Sequence, residues 1–260
     1  MSKKLITFTL KYVSALFYCL YLFTFGFFRT KNRLFIEMIC DFFNPRKQKY
    51  LIPPVNINEI TREDISIQVR GEFRMSGDMP LSETFVINKL IKQYSPLVIF
   101  EIGTFNGLTT LNMAANSPEE AKIYTLDLPK DMLRFAKLPL SSGDKIFIDK
   151  EISGDSFLGT DCEMKITQLY GDSAAFDFSP FYNRIDFVFV DGSHAYEYAL
   201  NDSNIALRLL RNGRGIILWH DYEGAFAGVA KALEELYLKN EVFKKAKHIE
   251  GASLVVLIID

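Results

Sequence analysis

The feature that most constrains the fold is a short apolar stretch followed by an acid and two glycines. Residues 97–107 read Leu-Val-Ile-Phe-Glu-Ile-Gly-Thr-Phe-Asn-Gly, and the apolar run that opens them is typical of a strand buried on both faces. Residues 108–116 can form a helix. A strand, a glycine turn and a helix in this order indicate a nucleotide pocket in an open α/β sheet, because glycines let backbone approach the ligand and the helix N-terminus offers free N–H groups.

The spacing Glu101-x-Gly103-x-x-x-Gly107 differs from the G-x-G-x-x-G of pyrophosphate-binding turns. An acid in the place of the first glycine would repel a pyrophosphate. It suits a ligand that carries an amino group and a sulfonium charge, provided that the side chain points into the pocket. The spacing therefore disfavours a dinucleotide, and an NAD-dependent reductase or epimerase stays as an alternative.

Length and composition limit the other possibilities. The 260 residues have room for one large α/β domain plus an appendage. The formal net charge of −2 gives no sign of the basic face that a nucleic-acid partner requires. Cys19, Cys40 and Cys162 lie far apart, which predicts free thiols in a reducing compartment instead of a disulfide framework or a zinc site.

An apolar segment near the N-terminus predicts a membrane anchor. Residues 5–28 contain one charged residue, Lys11, and a helix of that length could cross the ~30 Å hydrocarbon core. We therefore predict that residues 1–33 attach the protein to membrane lipid, with the following domain in the cytoplasm. The alternatives are a helix that packs on the domain or lies along a membrane surface, and a cytoplasmic protein. The orientation with the domain in the cytoplasm is favoured by three basic residues, Arg46, Lys47 and Lys49.

The rest of the chain divides into a connecting region and a domain. Residues 34–62 combine an amphipathic segment at 34–44 with a basic, proline-bearing linker. The domain is predicted to span 63–260. Its first helix is predicted over 81–94, with an inner stripe formed by Phe85, Ile87, Leu90 and Ile91.

Apolar runs that end in polar residues recur through the domain. They span 122–127, 165–170, 184–190 and 215–219, and the polar residues at or just after their ends are Asp127, Asp172, Ser173, Asp191, His194, His220 and Asp221. In nucleotide-binding α/β folds an acid at the tip of the second strand accepts hydrogen bonds from ribose hydroxyls, which is the role predicted for Asp127. Two final strands, 242–249 and 252–259, have no helix between them and predict a hairpin.

Residues 128–163 interrupt the alternation of strands and helices and are called the insertion below. An insertion after the second strand lies at the rim of the sheet where ligands bind. It predicts a lid or a substrate-recognition loop, and a surface excursion remains the alternative.

From about Gly71 to Asp260 the chain resembles the class I S-adenosylmethionine (SAM)-dependent methyltransferases, in particular methyltransferase domain family 24. It is more distantly similar to the metal-assisted O-methyltransferases. The resemblance implies a Rossmann-like, doubly wound, mostly parallel seven-stranded sheet with a C-terminal antiparallel hairpin. The motifs that carry it are Glu101-x-Gly-x-x-x-Gly107, Asp127, Gly171-Asp172-Ser173, Phe187-Val-Phe-Val-Asp-Gly-Ser-His194 and Leu218-Trp-His-Asp221.

The resemblance also implies a cofactor, SAM, and a set of residues that hold it. Asp172 is expected to meet the adenine amino group. The expected cofactor-binding residues are Glu101, Gly103, Thr104, Gly107, Asp127, Asp172, Ser173 and Asp191.

Catalysis is expected at the ends of the fourth and fifth strands of the predicted sheet. An imidazole titrates near neutrality, at ~6.5, and so suits a general base; the candidate catalytic residues are His194, His220 and Asp191. Acids at the same two strand ends hold Mg²⁺ in the metal-assisted relatives, which makes Asp191, His220 and Asp221 candidate ligands of a divalent metal. A histidine in that set shifts the preference away from Mg²⁺.

The sequence thus predicts a transferase that methylates a hydroxyl oxygen of a small-molecule, glycan or lipid-linked acceptor. The main alternative is a non-catalytic SAM-binding protein docked at a membrane. An oligomer is compatible with either hypothesis.

Overall fold

The structure is a computed structural model, and its described residues fall into two compact units, Met1–Lys49 and Tyr50–Asp260. The predicted amphipathic segment at 34–44 lies almost wholly outside the described residues, as do the basic residues at positions 46, 47 and 49. The described residues are 3–29, 32, 36, 50–73, 77–141, 143–223 and 226–260.

The described part of the first unit contains a long helix, α1, which runs from Lys3 to Phe23. A 3₁₀ turn follows at Phe25–Phe28, so the predicted apolar segment is not one continuous helix. Among the described residues no helix has both the length and the apolarity needed to cross a membrane. The predicted transmembrane span is therefore not found in the part of the chain that the structure describes. The alternative in which this segment lies along a membrane surface stays a prediction.

The second unit is built on one mixed sheet of eight strands in the order β1-β7-β8-β6-β5-β2-β3-β4. Neighbouring strands are parallel except where β8 pairs with β6 and β7. The strands are β1 Pro54–Val55, β2 Val98–Ile102, β3 Lys122–Asp127, β4 Ile166–Tyr170, β5 Phe187–Val190, β6 Gly215–Trp219, β7 Lys247–Ile249 and β8 Val255–Ile259.

This sheet confirms the predicted fold and adds one strand to it. The C-terminal hairpin forms between β7 and β8, although β7 is shorter than predicted because a 3₁₀ turn occupies Phe243–Lys245. The eighth strand, β1, pairs with β7 and comes from the region predicted as linker. A two-residue strand that contains Pro54 gives no periodic signal. The domain boundary predicted at residue 62 stays a prediction, and the chain from Tyr50 onwards packs with the second unit.

Helices cover both faces of the sheet, because β5 and β6 are apolar on both sides. Phe187 and Phe189 pack with α3 and α4, whereas Val188 and Val190 pack with α6 and α7. The predicted inner stripe of α3 holds except for Phe85, which is 46% exposed. The helices of this unit are α2 Ile57–Ile60, α3 Leu81–Tyr94, α4 Leu108–Asn116, α5 Asp144–Ile148, α6 Tyr196–Leu209 and α7 Ala227–Lys239.

A lysine near the start of β4 caps α4, the helix that follows the glycine turn. The ammonium of Lys165 donates to the carbonyls of Ala114 at 3.0 Å, Ser117 at 3.3 Å and Pro118 at 3.0 Å. These carbonyls lie at the negative end of the helix, where a cation is favourable. We expect Lys165→Met to lower the free energy of unfolding by about 1–2 kcal/mol in urea denaturation. Lys122→Met, on an exposed side chain, is the matched control, and equal stability of the two variants would contradict the capping role.

Candidate active site

A cavity of about 420 Å³ opens at the edge where the parallel strands end. The strand β2 lies between β3 and β5, so the chain leaves the middle of the sheet in opposite directions there, and open α/β sheets bind ligands at such a switch point. The lining comes from strand ends, from residues 77–83 and from the insertion. The predicted site residues in the lining are Gly103, Asp127, Asp172, Ser173, Asp191, His194, His220 and Asp221.

Gly103 lies where the turn after β2 crosses the end of β5. Its φ is +102°, and a Cβ at this position would stand 1.9 Å from the carbonyl oxygen of Asp191. The Gly103 N–H donates to the carbonyl of Leu126 at 2.8 Å. Gly103 therefore joins the ends of β2, β3 and β5 at a spacing that only glycine permits.

Two other predicted residues of this turn, Thr104 and Gly107, are constrained by the residues packed around them. Gly107 has φ +81°, and a Cβ there would stand 2.6 Å from a ring carbon of Phe157 in the insertion. Thr104 is buried, with its hydroxyl 2.6 Å from that of Thr125. Neither Gly107 nor Thr104 is among the described residues that line the cavity.

Glu101 does not point into the cavity, although its place in the motif predicted a contact with the cofactor. It is 1% exposed, and one oxygen accepts hydrogen bonds from the hydroxyls of Thr110 at 2.5 Å and Thr125 at 2.6 Å. Burial raises the pKa of Glu101 to about 8, against the lowering effect of both hydroxyls. A carboxyl group that is mostly protonated at neutral pH cannot attract a sulfonium ion, so the structure places Glu101 as a tie between β2, α4 and β3.

The raised pKa of Glu101 predicts a pH dependence of stability. Between pH 4.5 and 8 the folded chain holds a proton that the unfolded chain has released, so the free energy of unfolding falls as pH rises, by at most about 1.4 kcal/mol per pH unit. Glu101→Gln replaces the protonated acid by a neutral group of the same shape, and we expect it to remove this slope in urea titrations from pH 5 to 8. Glu120→Gln, on an exposed residue, should keep the slope. The same slope in both variants would exclude a protonated Glu101.

Asp127 ends β3 in the position predicted for ribose binding, and the insertion contacts it directly. The ammonium of Lys150 lies 2.7 Å from Oδ2 of Asp127, and the Ser153 hydroxyl donates to the same oxygen. The side chains of Asp127 and Lys150 are 9% and 14% exposed, so this is a nearly buried ion pair. The insertion therefore packs over the side of the cavity where β3 ends.

Asp172 lies beside Asp127, in the turn after β4. Its Oδ1 accepts from the Tyr198 hydroxyl and from the backbone N–H of Ala174, both at 2.9 Å. Its Oδ2 accepts from the backbone N–H of Lys137, in the insertion, at 2.7 Å. These bonds fix the carboxylate at the rim of the cavity.

Ser173 lines the cavity next to Asp172, and a buried acid of α6 lies behind it. Burial raises the pKa of Asp202 to about 7, and the side chain of Ser173 hydrogen-bonds to this acid. Asp202 therefore supports the turn that carries Ser173 and Asp172.

His194 follows β5 and is held by carboxylates at both ring nitrogens. Its Nδ1 lies 2.5 Å from Oδ1 of Asp144 and its Nε2 lies 3.1 Å from Oδ2 of Asp221. The ring stacks on Phe226 with centroids 4.2 Å apart and planes at 21°. Burial alone would lower the pKa of His194, but hydrogen bonds to Asp144 and Asp221 outweigh it and raise the pKa to about 10.

His220 occupies a similar position beyond β6. Its Nε2 lies 2.9 Å from Oε2 of Glu83, and its Nδ1 lies 3.0 Å from Asp191 and 3.2 Å from Asp221. Glu83, in the first turn of α3, also accepts from the backbone N–H of Ser253 at 2.5 Å. Burial would lower the pKa of His220, but the charge of Asp191 and the three carboxylate contacts raise it well above its usual value.

This arrangement does not suit the base role expected for the two histidines. A carboxylate contacts each ring nitrogen of His194 and of His220, and these contacts favour the protonated form of both rings. Either ring must first lose a proton before it can accept one from an acceptor hydroxyl.

The three candidate metal ligands converge where β5 and β6 end. The ligand atoms of Asp191, His220 and Asp221 all lie within 4.8 Å of one another. Asp221 adopts a left-handed backbone with φ +65°, which aspartate tolerates and which is common at functional sites. Two carboxylates and an imidazole in this space fit a divalent cation, and the mixed donor set suits a transition metal better than Mg²⁺.

Several residues of the site were not predicted from the sequence. Glu83 lies 137 positions before its partner His220, and Asp144 and Lys150 come from the insertion, whose sequence shows no periodicity. Tyr198 and Asp202 come from α6, whose sequence contains no functional motif. An acid on the apolar face of a helix, as at position 202, is a sequence signal that could have indicated a buried acid.

The observed sheet is the one that the resemblance to class I methyltransferases implies. Residues 100–222 match the family model described as "Methyltransferase domain", so the resemblance drawn from the motifs is confirmed. The matched segment runs from β2 to just past β6 and includes every predicted site residue.

Solved structures support the fold. The chain is similar to the SAH-bound methyltransferase PaMTH1 of Podospora anserina, at 14% identity and a TM-score of 0.51 over 90% of this chain and 97% of that one. It is also similar to the O-methyltransferase TomG of Streptomyces achromogenes, involved in tomaymycin synthesis and solved with SAM, at 15% identity and a TM-score of 0.48 over 70% and 82% of the chains. At these identities the likeness to PaMTH1 shows the fold. The comparison with curated proteins gave no match.

Proposed function

We propose that this protein is a SAM-dependent O-methyltransferase that acts on a hydroxyl group of a small molecule. The proposal rests on the two groups of residues that line the same cavity. Asp127 and Asp172, at the ends of β3 and β4, face a cluster of histidines and carboxylates at the ends of β5 and β6. A cofactor held at one end of such a cavity directs its reactive group toward the other end.

The cofactor end offers groups that suit an adenosyl moiety. Asp127 accepts hydrogen bonds from the ribose hydroxyls, and Asp172 and Ser173 meet the adenine, while Gly103 lets the backbone approach the ligand. The carboxylate of Asp191, at the end of β5, lies between the two ends and provides negative charge near a sulfonium. Glu101 and Gly107 do not line the cavity; their contacts fix the turn that carries Gly103.

The acceptor end combines an acidic cluster with an aromatic and apolar wall. Phe105, Phe147 and Phe226 line the cavity together with Met79 and Pro80. This wall favours an acceptor with an apolar ring next to its hydroxyl over a glycan. No described contact supports a lipid-linked acceptor.

The acidic cluster fits a divalent metal that Asp191, His220 and Asp221 would hold. A divalent cation bound there would supply Lewis acidity, which lowers the pKa of a coordinated hydroxyl. The chain itself contributes position: His194 keeps the carboxylate of Asp221 in place through a hydrogen bond, and Glu83 holds Nε2 of His220, whose Nδ1 would lose its proton to bind a metal. Alignment of the acceptor oxygen with the transferred methyl group accounts for most of the remaining catalysis.

A SAH-release assay on the full-length protein tests the proposal. Phenols, catechols and aliphatic alcohols serve as probe acceptors, with and without EDTA. We expect release with a phenolic acceptor and a strong decrease with EDTA. If SAM binds but none of the tested acceptors leads to SAH release, the non-catalytic alternative is favoured. SAH release that EDTA does not reduce would exclude a metal requirement.

A further inference from the structure

We propose that Asp144, in the insertion, is a positioning residue that sets the orientation of His194 when the insertion closes over the cofactor. The proposal rests on the function proposed above and adds a coupling between the two ends of the cavity. Contacts of the insertion with both ends provide that coupling.

The insertion contacts the cofactor end of the cavity at two separate points. Lys150 and Ser153 bind the carboxylate of Asp127, and the backbone N–H of Lys137 binds that of Asp172. Since these two carboxylates are the proposed partners of ribose and adenine, the insertion and the cofactor meet at the same acids. The position of the insertion therefore depends on the state of the cofactor end.

Through Asp144, the insertion also contacts the acceptor end of the cavity. Its Oδ2 accepts from the backbone N–H of Ser141 at 2.8 Å and from the hydroxyl of Ser193 at 2.6 Å. Its Oδ1 lies 2.5 Å from Nδ1 of His194 and 3.3 Å from the backbone nitrogen of the same residue. Asp144 is 3% exposed, so water cannot replace these contacts while the insertion is docked.

The ring of His194 has one torsion left for Asp144 to fix. Stacking on Phe226 sets the plane of the ring but permits a half-turn flip about the Cβ–Cγ bond, which exchanges the positions of ring nitrogens and ring carbons. The bond from Nδ1 to Asp144 selects the orientation in which Nε2 faces Asp221. When the insertion undocks, Asp144 leaves with it and Nε2 is no longer directed at Asp221. The cluster is therefore complete only when the insertion covers the cofactor.

The test uses the imidazole N–H signals of the full-length, ¹⁵N-labelled protein with SAM as the probe. The chain has three histidines, so a His194→Gln spectrum assigns the signal of His194. Asp144→Asn keeps the shape of the side chain but offers one acceptor oxygen where the carboxylate offers two. We expect loss or a large upfield shift of the His194 Nδ1–H signal, partial return in Asp144→Glu, and no change in Asp149→Asn. Asp149 is the matched control, since it lies in the insertion with a 65% exposed side chain.

Kinetics with the best acceptor of the panel separate positioning from folding. We expect Asp144→Asn to lower kcat by about 10- to 100-fold with little change in the Kd for SAM, and Asp144→Glu to recover part of the loss. An unchanged His194 signal, or a loss of SAM affinity with kcat unchanged, would overturn the proposal. If the wild type binds no SAM, the proposed function fails, and the His194 signal without SAM still decides whether Asp144 orients the ring.

Discussion

Gly103→Ala is expected to lower the free energy of unfolding by about 4 kcal/mol, because strain and overlap act together at this position. An alanine would have to adopt φ +102°, and its Cβ would stand 1.9 Å from a carbonyl oxygen at the end of β5. The atoms that it would meet belong to the backbone at the end of a central strand, which cannot move aside without breaking sheet hydrogen bonds. Urea denaturation followed by the fluorescence of the single tryptophan, Trp219, measures the loss.

Two other glycines of the chain serve as controls that separate the cost of backbone strain from the cost of steric overlap. Gly159 has φ +71° with no heavy atom within 4 Å of the place that a Cβ would occupy, and Gly143 has neither a positive φ nor a neighbour within 4 Å. We expect Gly159→Ala to cost about 1 kcal/mol and Gly143→Ala to cost nothing. If Gly103→Ala cost no more than Gly159→Ala, the close approach between β2 and β5 would be refuted.

Asp127→Asn is expected to weaken SAM binding by about 10- to 150-fold. The carboxylate accepts charge-assisted hydrogen bonds from the ribose hydroxyls in the proposed complex, and such bonds contribute about 1.5–3 kcal/mol. An amide has one acceptor oxygen and loses the charge that holds Lys150 at 2.7 Å. Isothermal titration of the variant with SAM gives the change in Kd directly.

Asp149→Asn is the matched control for this change. It removes a carboxylate that also pairs with a lysine, Lys130, but at an exposed position, so we expect the Kd for SAM to stay the same. Equal effects of Asp127→Asn and Asp149→Asn would mean that the charge of the region matters and the ribose contact does not.

The strand ends were the part of the site that the sequence could predict. Apolar runs that stop at a polar residue mark the carboxyl ends of parallel strands, and those ends meet at one edge. This reasoning brought Asp127, Asp172, Asp191 and Asp221 together correctly around one cavity. The mostly parallel sheet with its C-terminal antiparallel hairpin followed from the resemblance and was confirmed.

The direction of side chains was harder to predict than their position along the chain. Glu101 lies next to the correct turn, but alternate residues of a strand face opposite sides, and this one faces Thr110 and Thr125 below the cavity. The protonation of His194 could not be predicted either, because one of its two partners, Asp144, comes from a segment without periodicity. Contacts between distant segments, such as Glu83 with His220, leave no local signal.

Parallel isothermal titrations of the full-length protein with SAM and with NAD test the central claim most directly. The claim is that the cavity at the ends of β2 to β6 is a SAM pocket. It predicts saturable binding of SAM at one site per chain, weakened in Asp127→Asn, and no binding of NAD. Binding of NAD without binding of SAM, or SAM binding that Asp127→Asn leaves unchanged, would contradict it.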